Sequence, residues 1–162
     1  MVRRTAARHS SCMSPRHPVI KVFLADDSEL IRMRVAALLG LPAMSIVGYA
    51  QTPQASIDGI RATQPNVVVL DVQLEGGSGL EVLRAIHLSA PEIAFIVFTN
   101  NSGPAYRERY LREGAVRFLD KSTEFGSLAS AVASAQPESE RAGKTEGRIN
   151  TIVDLDGSQT RI

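Results

Sequence analysis

Cysteine is nearly absent: Cys12 stands alone among 162 residues, so no intrachain disulfide can form and a reducing compartment fits. The arginine-bearing start of the chain lacks the apolar core of a signal peptide, and no later apolar run approaches a membrane span. A cytoplasmic protein without a membrane partner is therefore expected. An excess of one charge is missing too, with 18 Lys and Arg against 17 Asp and Glu, which gives no global case for a nucleic-acid or membrane partner. What charge asymmetry there is lies in residues 1–19, where Arg3, Arg4, Arg8 and Arg16 occur without an acid. Taking these four from the net +1 leaves −3 for the rest. Internal repeats are absent, which excludes a solenoid or array.

What is present suits one ordinary hydrophobic core with tails: 44% of the residues are hydrophobic. The stretch from Asn66 to Leu83 organises the chain. Its apolar run Val67-Val68-Val69-Leu70 is rich in β-branched residues and reads as a strand buried on both faces. The run ends at a single carboxylate, Asp71, before the loop around Gly76-Gly77-Ser78-Gly79 opens a helix. In an open parallel α/β sheet that carboxyl-end rim is where ligands gather.

Alternating apolar runs and helical periodicities predict five strands and five helices. Strands are expected over residues 20–25, 45–50, 66–70, 93–98 and 115–119. The first helix carries Ile31, Val35 and Leu38 before Gly40 and Pro42. The second is capped by Thr52 with Pro53 at its first position and runs to about Thr63. The third starts near Gly79 with Leu80, Leu83 and Ile86 on one face, and the fourth opens at Ser102-Gly103-Pro104 and closes at Gly114. The fifth is expected from about Thr123 to Ala135, with Phe125, Leu128 and Val132 inward. Strands and helices in alternation with short loops imply an α/β fold, a parallel sheet covered on both faces. The domain is expected over 20–136, between a basic leader (1–19) and a tail (137–162) whose Pro, Glu, Ser, Gly and Lys content disfavours order. Within the tail, Asp156-Gly157 between two apolar-flanked stretches is a hairpin signal.

Placed at strand ends, the polar residues converge. Asp26 and Asp27 follow the first strand, Asp71 the third and Thr99 the fourth, while Lys121 comes just after the fifth. Singly each has an ordinary explanation: Asp27 or Ser28 as a helix cap, Asp71 as a turn residue, Thr99 as a strand end, Lys121 as a solvated charge. Together, three carboxylates at a low-dielectric rim repel one another by about 4 kcal/mol per pair at 4 Å and an effective dielectric of 20. A hard divalent cation such as Mg²⁺, which takes oxygen ligands and commonly shares them with phosphate, would relieve this. Lys121 and the Thr99 hydroxyl are suited to hold the remaining oxygens of a phosphoryl group on Asp71.

In this ordered set (Asp26-Asp27, Asp71, Thr99, Lys121) the chain resembles the receiver domains of bacterial two-component response regulators, over about residues 20–136. The resemblance implies a five-stranded parallel sheet of order 2-1-3-4-5 flanked by five helices. It implies Asp71 as phosphoacceptor, Mg²⁺ bound by Asp26, Asp27, Asp71 and the Gln73 backbone carbonyl, and Thr99 and Lys121 contacting the phosphoryl group. Phe118 matches the aromatic switch position, although a plain core aromatic is an equal reading of that residue. The expected partners are a sensor histidine kinase or histidine phosphotransferase and a protein effector, with possible homodimerisation through the fourth helix, fifth strand and fifth helix. Catalysis is expected only of the domain's own phosphoryl transfer and dephosphorylation. About 26 residues follow Gln136 with no basic helical pattern, so protein contact rather than direct DNA binding is expected.

Three positions depart from the family pattern. Glu75 stands where proline is frequent, adding a negative charge near the site; Asn100 replaces a small residue after Thr99 and narrows access to Asp71. Ser122 replaces the frequent proline after Lys121, so the local geometry is expected to differ. The departures leave room for a receiver that serves as a phosphorylation-independent interaction module. A dinucleotide-binding enzyme is disfavoured because Val82 stands where Gly77-Ser78-Gly79 would need a third glycine. A phosphatase of the haloacid dehalogenase type would need a second aspartate two residues after Asp71, where Gln73 stands.

Overall fold

The computed structural model describes residues 19–135. The basic leader up to residue 18 and the tail with its hairpin signal lie outside the described residues.

Five strands alternate with five helices: β1 (Ile20–Ala25), α1 (Glu29–Leu38), β2 (Met44–Ala50), α2 (Pro53–Thr63), β3 (Val67–Leu70), α3 (Gly79–His87), β4 (Ala94–Thr99), α4 (Pro104–Arg112), β5 (Arg117–Asp120) and α5 (Leu128–Ser134). All five strands are parallel, in the order β2-β1-β3-β4-β5, as expected. Between β3 and α3, Gln73–Leu74 pairs antiparallel with Gly77–Ser78 as a separate two-residue ladder.

The strands alternate side chains between two cores. Phe23, Val68, Leu70, Phe95, Val97 and Phe118 meet Ile60 of α2, Leu83 and Ile86 of α3, and Tyr110 of α4. On the other face Val22, Leu24, Val67, Val69, Ile96 and Phe98 meet Val35 of α1 and Leu128 and Val132 of α5. The sheet is thus doubly covered, which is why β3 and β4 are buried throughout and apolar up to Thr99. β2 is the half-exposed edge, and its register slips by one residue at Val47, a bulge against β1.

Local chemistry sets most boundaries. Thr52 caps α2 by accepting from the Ala55 amide at 3.2 Å, with Pro53 at the first position. α4 ends in a left-handed Gly114 (φ +113°): the Gly114 amide donates to Leu111 and the Ala115 amide to Tyr110. That motif occupies the Ala115 amide, so β5 starts at Arg117 rather than at the expected residue 115. The predicted start of helix 5 is also corrected. Phe125–Ser127 forms a 3₁₀ turn and the α-helix begins at Leu128, since Gly126 and Ser127 are weak helix formers. The predicted stripe survives, because Phe125, Leu128 and Val132 all pack into one cluster.

Gly79 decides how closely α3 approaches the rim. A Cβ there would lie 2.1 Å from the Asp71 carbonyl oxygen, and the Gly79 amide donates to Val72 at 2.9 Å. The glycine pattern that the sequence offered as a weak nucleotide motif serves this close approach instead.

Candidate functional site

The first loop forms by local hydrogen bonding. Ser28 caps α1, its hydroxyl accepting from the Ile31 amide at 3.4 Å, and its own amide donates to Asp26 Oδ1 at 2.8 Å. With Ser28 as the cap, Asp27 is not needed for that job and stands exposed at the rim. Asp71 follows β3, and its Oδ1 accepts a long 3.4 Å contact from the Gln73 amide. β4 delivers Thr99, fully buried, whose Oγ1 accepts from the Asn101 amide at 3.1 Å. The turn after β5 delivers Lys121.

Lys121 closes the set. Its Nζ lies 2.5 Å from Asp26 Oδ2 and 2.7 Å from Asp71 Oδ2, joining residues 95 and 50 positions away. All three side chains are buried, with Asp26 6%, Asp71 9% and Lys121 8% exposed as residues. Burial pushes the Asp26 carboxyl above its usual range despite the Lys121 ammonium beside it. One lysine cannot neutralise three acids. Carboxylate oxygens of Asp26, Asp27 and Asp71 lie within 4.8 Å of one another, a grouping able to hold a metal ion. All three donors are hard oxygens, and an ammonium already sits between two of them, so the donor set fits a hard cation.

These groups open on a cleft of about 370 Å³ lined by Asp27, Asp71, Gln73, Thr99, Asn100 and Lys121, among others. Asn100 is exposed and lines it. Glu75 is not among the lining residues; its amide is engaged at 2.9 Å with the Gln51 carbonyl at the end of β2. Ser122 finds its own partner, its amide donating to Asp120 Oδ1 at 2.7 Å. The Ser102 hydroxyl above all, then the Ser122 hydroxyl and this amide, hold the Asp120 carboxyl down at about 2. The backbone has no cis peptide bond among the described residues, so the Lys121–Ser122 link is trans.

Phe118 is not at the cleft. Its ring is buried (3% exposed), edge-on to Tyr110 at 6.2 Å, with the Arg107 guanidinium 5.2 Å from its centroid. Arg107 reaches on to Glu124 at 3.7 Å. Phe118 is paired with Val97, two residues before Thr99, so Phe118 and Thr99 share a face of the sheet.

Sequence reasoning missed Arg32. The buried stripe of α1 is Arg32 and Val35, continued by Leu39 at the C-cap, with the expected Ile31 and Leu38 only partly buried on either side of it. Arg32 is only 9% exposed and donates to the Asp26 carbonyl oxygen at 2.8 Å. The helical spacing of Arg32 with Val35 and Leu39 was the available signal, hidden because arginine ordinarily marks a solvated face.

A doubly covered parallel sheet with acids and a lysine gathered at its carboxyl rim defines a class: a flavodoxin-like domain with an acidic cleft. Residues 22–133 match the response regulator receiver domain family, and the chain belongs to that family of two-component systems. It is similar to the response regulator GacA of Pseudomonas syringae, 29% identical over 70% of this chain and 54% of that one. It also resembles the DNA-binding transcriptional activator DevR/DosR of Mycobacterium tuberculosis, 31% identical over 70% of this chain and 53% of that one. The chain thus matches about half the length of these relatives. Among solved structures, the response regulator domain of Thermotoga maritima CheB superposes with a TM-score of 0.65 at 28% identity, covering 72% of this chain and 96% of that domain. No helix among the described residues is long and apolar enough to cross a membrane.

Proposed function

We propose that this receiver domain takes a phosphoryl group on Asp71 from a histidine kinase or histidine phosphotransferase and passes the signal on by protein contact. The observation that carries the reading is the Lys121 ammonium bridging Asp26 and Asp71 at the mouth of a cleft that Asp27 and Thr99 also line. In this reading Mg²⁺, held by Asp26, Asp27 and Asp71 with the Gln73 carbonyl, supplies charge neutralisation for the transferring group.

The chain's own groups suit the rest of the chemistry. Asp71 Oδ2 is held by Lys121, whereas Oδ1 has only the long contact from Gln73 and is free to act as nucleophile. Asp26 is a poorer acceptor because both its oxygens are engaged, and among the described residues no lysine is paired with Asp27. The Asp71 oxygen forms its bond to phosphorus as the P–N bond of a phosphohistidine breaks and the imidazole departs with the electron pair. The Lys121 N–H groups and the Thr99 hydroxyl then donate to phosphoryl oxygens. As Thr99 turns toward the phosphoryl group, it leaves the face it shares with Phe118, and the α4–β5–α5 surface responds. Tyr106, Leu111 and Val116 are exposed there, available to an effector or to a second copy of the chain. Two of the three α4 arginines are paired, Arg107 with Glu124 and Arg112 with Glu108, which favours protein over DNA as the contact.

Beryllofluoride with Mg²⁺, a phosphoryl mimic, tests the reading. Amide and ring resonances of Thr99 and Phe118 are expected to shift together on titration, and unmoved resonances would overturn the switch. A second reading has one observation in its favour. Phe118 is already turned in and clamped by Tyr110 and Arg107, as in a module whose surface is preset without phosphate. The same titration separates the two.

Asn100 bears on rate. It lines the cleft beside Asp71, so Asn100→Ala is expected to speed phosphorylation by a small donor such as acetyl phosphate, about fivefold if the barrier falls by about 1 kcal/mol. An unchanged rate would mean that access does not limit the reaction.

A further inference from the structure

The buried guanidinium of Arg32 is unusual in what it touches. A charge this enclosed ordinarily meets a carboxylate, because desolvating it unpaired is costly. Among the described residues Arg32 has no ion pair within 4 Å; it donates instead to the Asp26 main-chain oxygen at 2.8 Å. With the Gln51 carboxamide assigned so that its oxygen rather than its nitrogen faces the guanidinium donors, the remaining arm donates to that oxygen at 2.9 Å, and the Tyr49 ring covers the guanidinium at 5.3 Å. Gln51 in turn accepts, through its main-chain oxygen, the Glu75 amide at 2.9 Å. One bracket therefore runs from the loop carrying Asp26 and Asp27, through Arg32 and Gln51, to the loop that follows Asp71 and carries Gln73. If filling space between α1 and the sheet were the whole task, leucine or methionine would meet it without the desolvation cost.

We infer that Arg32, with Gln51, is a positioning residue that holds the two acid-bearing loops at the separation a divalent cation needs, and so sets the Mg²⁺ affinity of the acidic trio. The inference rests on the metal reading given under Proposed function. Its sign is distinctive. The positive charge of Arg32 by itself repels a cation, so if charge were its only influence a neutral replacement would bind Mg²⁺ more tightly. Hydrogen-bonded partners behind metal ligands typically contribute tenfold or more to affinity, and on that scale the bracket outweighs the charge.

The test is a titration of the full chain with Mg²⁺ alone, followed by the amide resonances of Asp26, Asp27, Ser28 and Gln73, with urea stability measured alongside. Arg32→Leu is expected to weaken Mg²⁺ binding about tenfold. Gln51→Leu, which removes only the outer anchor and leaves Arg32 on Asp26, is expected to weaken it about threefold, half that loss in free energy. Gln51→Leu also keeps the test decisive if Arg32→Leu does not fold. Arg32→Lys retains the charge but not the fork, and is expected to behave like Arg32→Leu. Unchanged or tighter binding in folded Arg32→Leu, or in Gln51→Leu where the former is unfolded, overturns the inference and leaves the metal reading standing. A wild-type chain that does not bind Mg²⁺ overturns both.

Discussion

Replacing Asp71 by asparagine is expected to abolish phosphorylation while leaving the fold intact. A carboxamide oxygen is a far weaker nucleophile than a carboxylate and cannot form the acyl phosphate, so labelling by a small phosphoryl donor with Mg²⁺ is expected to fall at least about a thousandfold, ~4 kcal/mol in the barrier. The fold has no reason to suffer. The carboxamide would still offer an oxygen to the Lys121 ammonium now 2.7 Å from Asp71 Oδ2, and one of the mutually repelling acids would be gone. Urea unfolding of the metal-free variant is therefore expected at or above the wild-type midpoint. Wild-type labelling of a folded Asp71→Asn chain would show that the acceptor lies elsewhere, and peptide mapping would identify it.

Removing Lys121 is expected to have the largest effect on stability. In Lys121→Met the buried carboxylates of Asp26 and Asp71 lose their shared cation, and breaking a buried pair from one side costs about 3–5 kcal/mol. The deficit depends on pH with a definite sign. Burial already raises the Asp26 pKa in the wild type, and the ammonium opposes that rise, so its loss raises the value further. A carboxyl whose folded pKa is raised contributes stability below its unfolded value and loses it as pH rises through the folded one. The variant should therefore be weakest near neutrality and recover toward the wild type on acidification. Asp120 works in the opposite sense in both proteins: its pKa is held at about 2, so its contribution is present above the usual 3.8 and fades as pH falls toward 2. Urea midpoints of wild type and variant, compared near neutrality and at mildly acid pH, check this. A deficit that widens on mild acidification would sink the assignment of the cost to the two carboxylates. Mg²⁺ should restore part of the lost stability, since it supplies the acids with another cation.

These expectations rest on residues that differ in how legible they were. The place of Asp71 at a strand end was plain because a β-branched run stops at that one carboxylate, whereas its reading as more than a turn residue came only from its polar companions at the other strand ends. Asp27 was also readable as the helix cap, and the Ser28 hydroxyl on the Ile31 amide removes that reading, a matter of one helical turn's geometry. Phe118 was readable as a core aromatic or as a switch, and its burial against Tyr110 and Arg107 is compatible with both. β5 was misplaced by two residues because a run of apolar side chains does not reveal that the Ala115 amide is already taken by the end of α4. Glu75 was expected to add charge near the site; the backbone of its loop is hooked to Gln51, and the residue is not among those that line the cleft.

By itself the sequence determined the alternation of strands and helices, the doubly covered sheet and the list of polar residues at its rim. Those follow from periodicity and from where apolar runs stop, which are local properties of the chain. Only the tertiary structure decided the partnerships: Lys121 between Asp26 and Asp71, Gly79 against the Asp71 carbonyl, and Arg32 turned inward to bracket two loops. The reason is physical. Each of these contacts joins segments brought together by strand order and crossover, and whether a charged side chain is solvated or buried depends on what the rest of the chain packs over it.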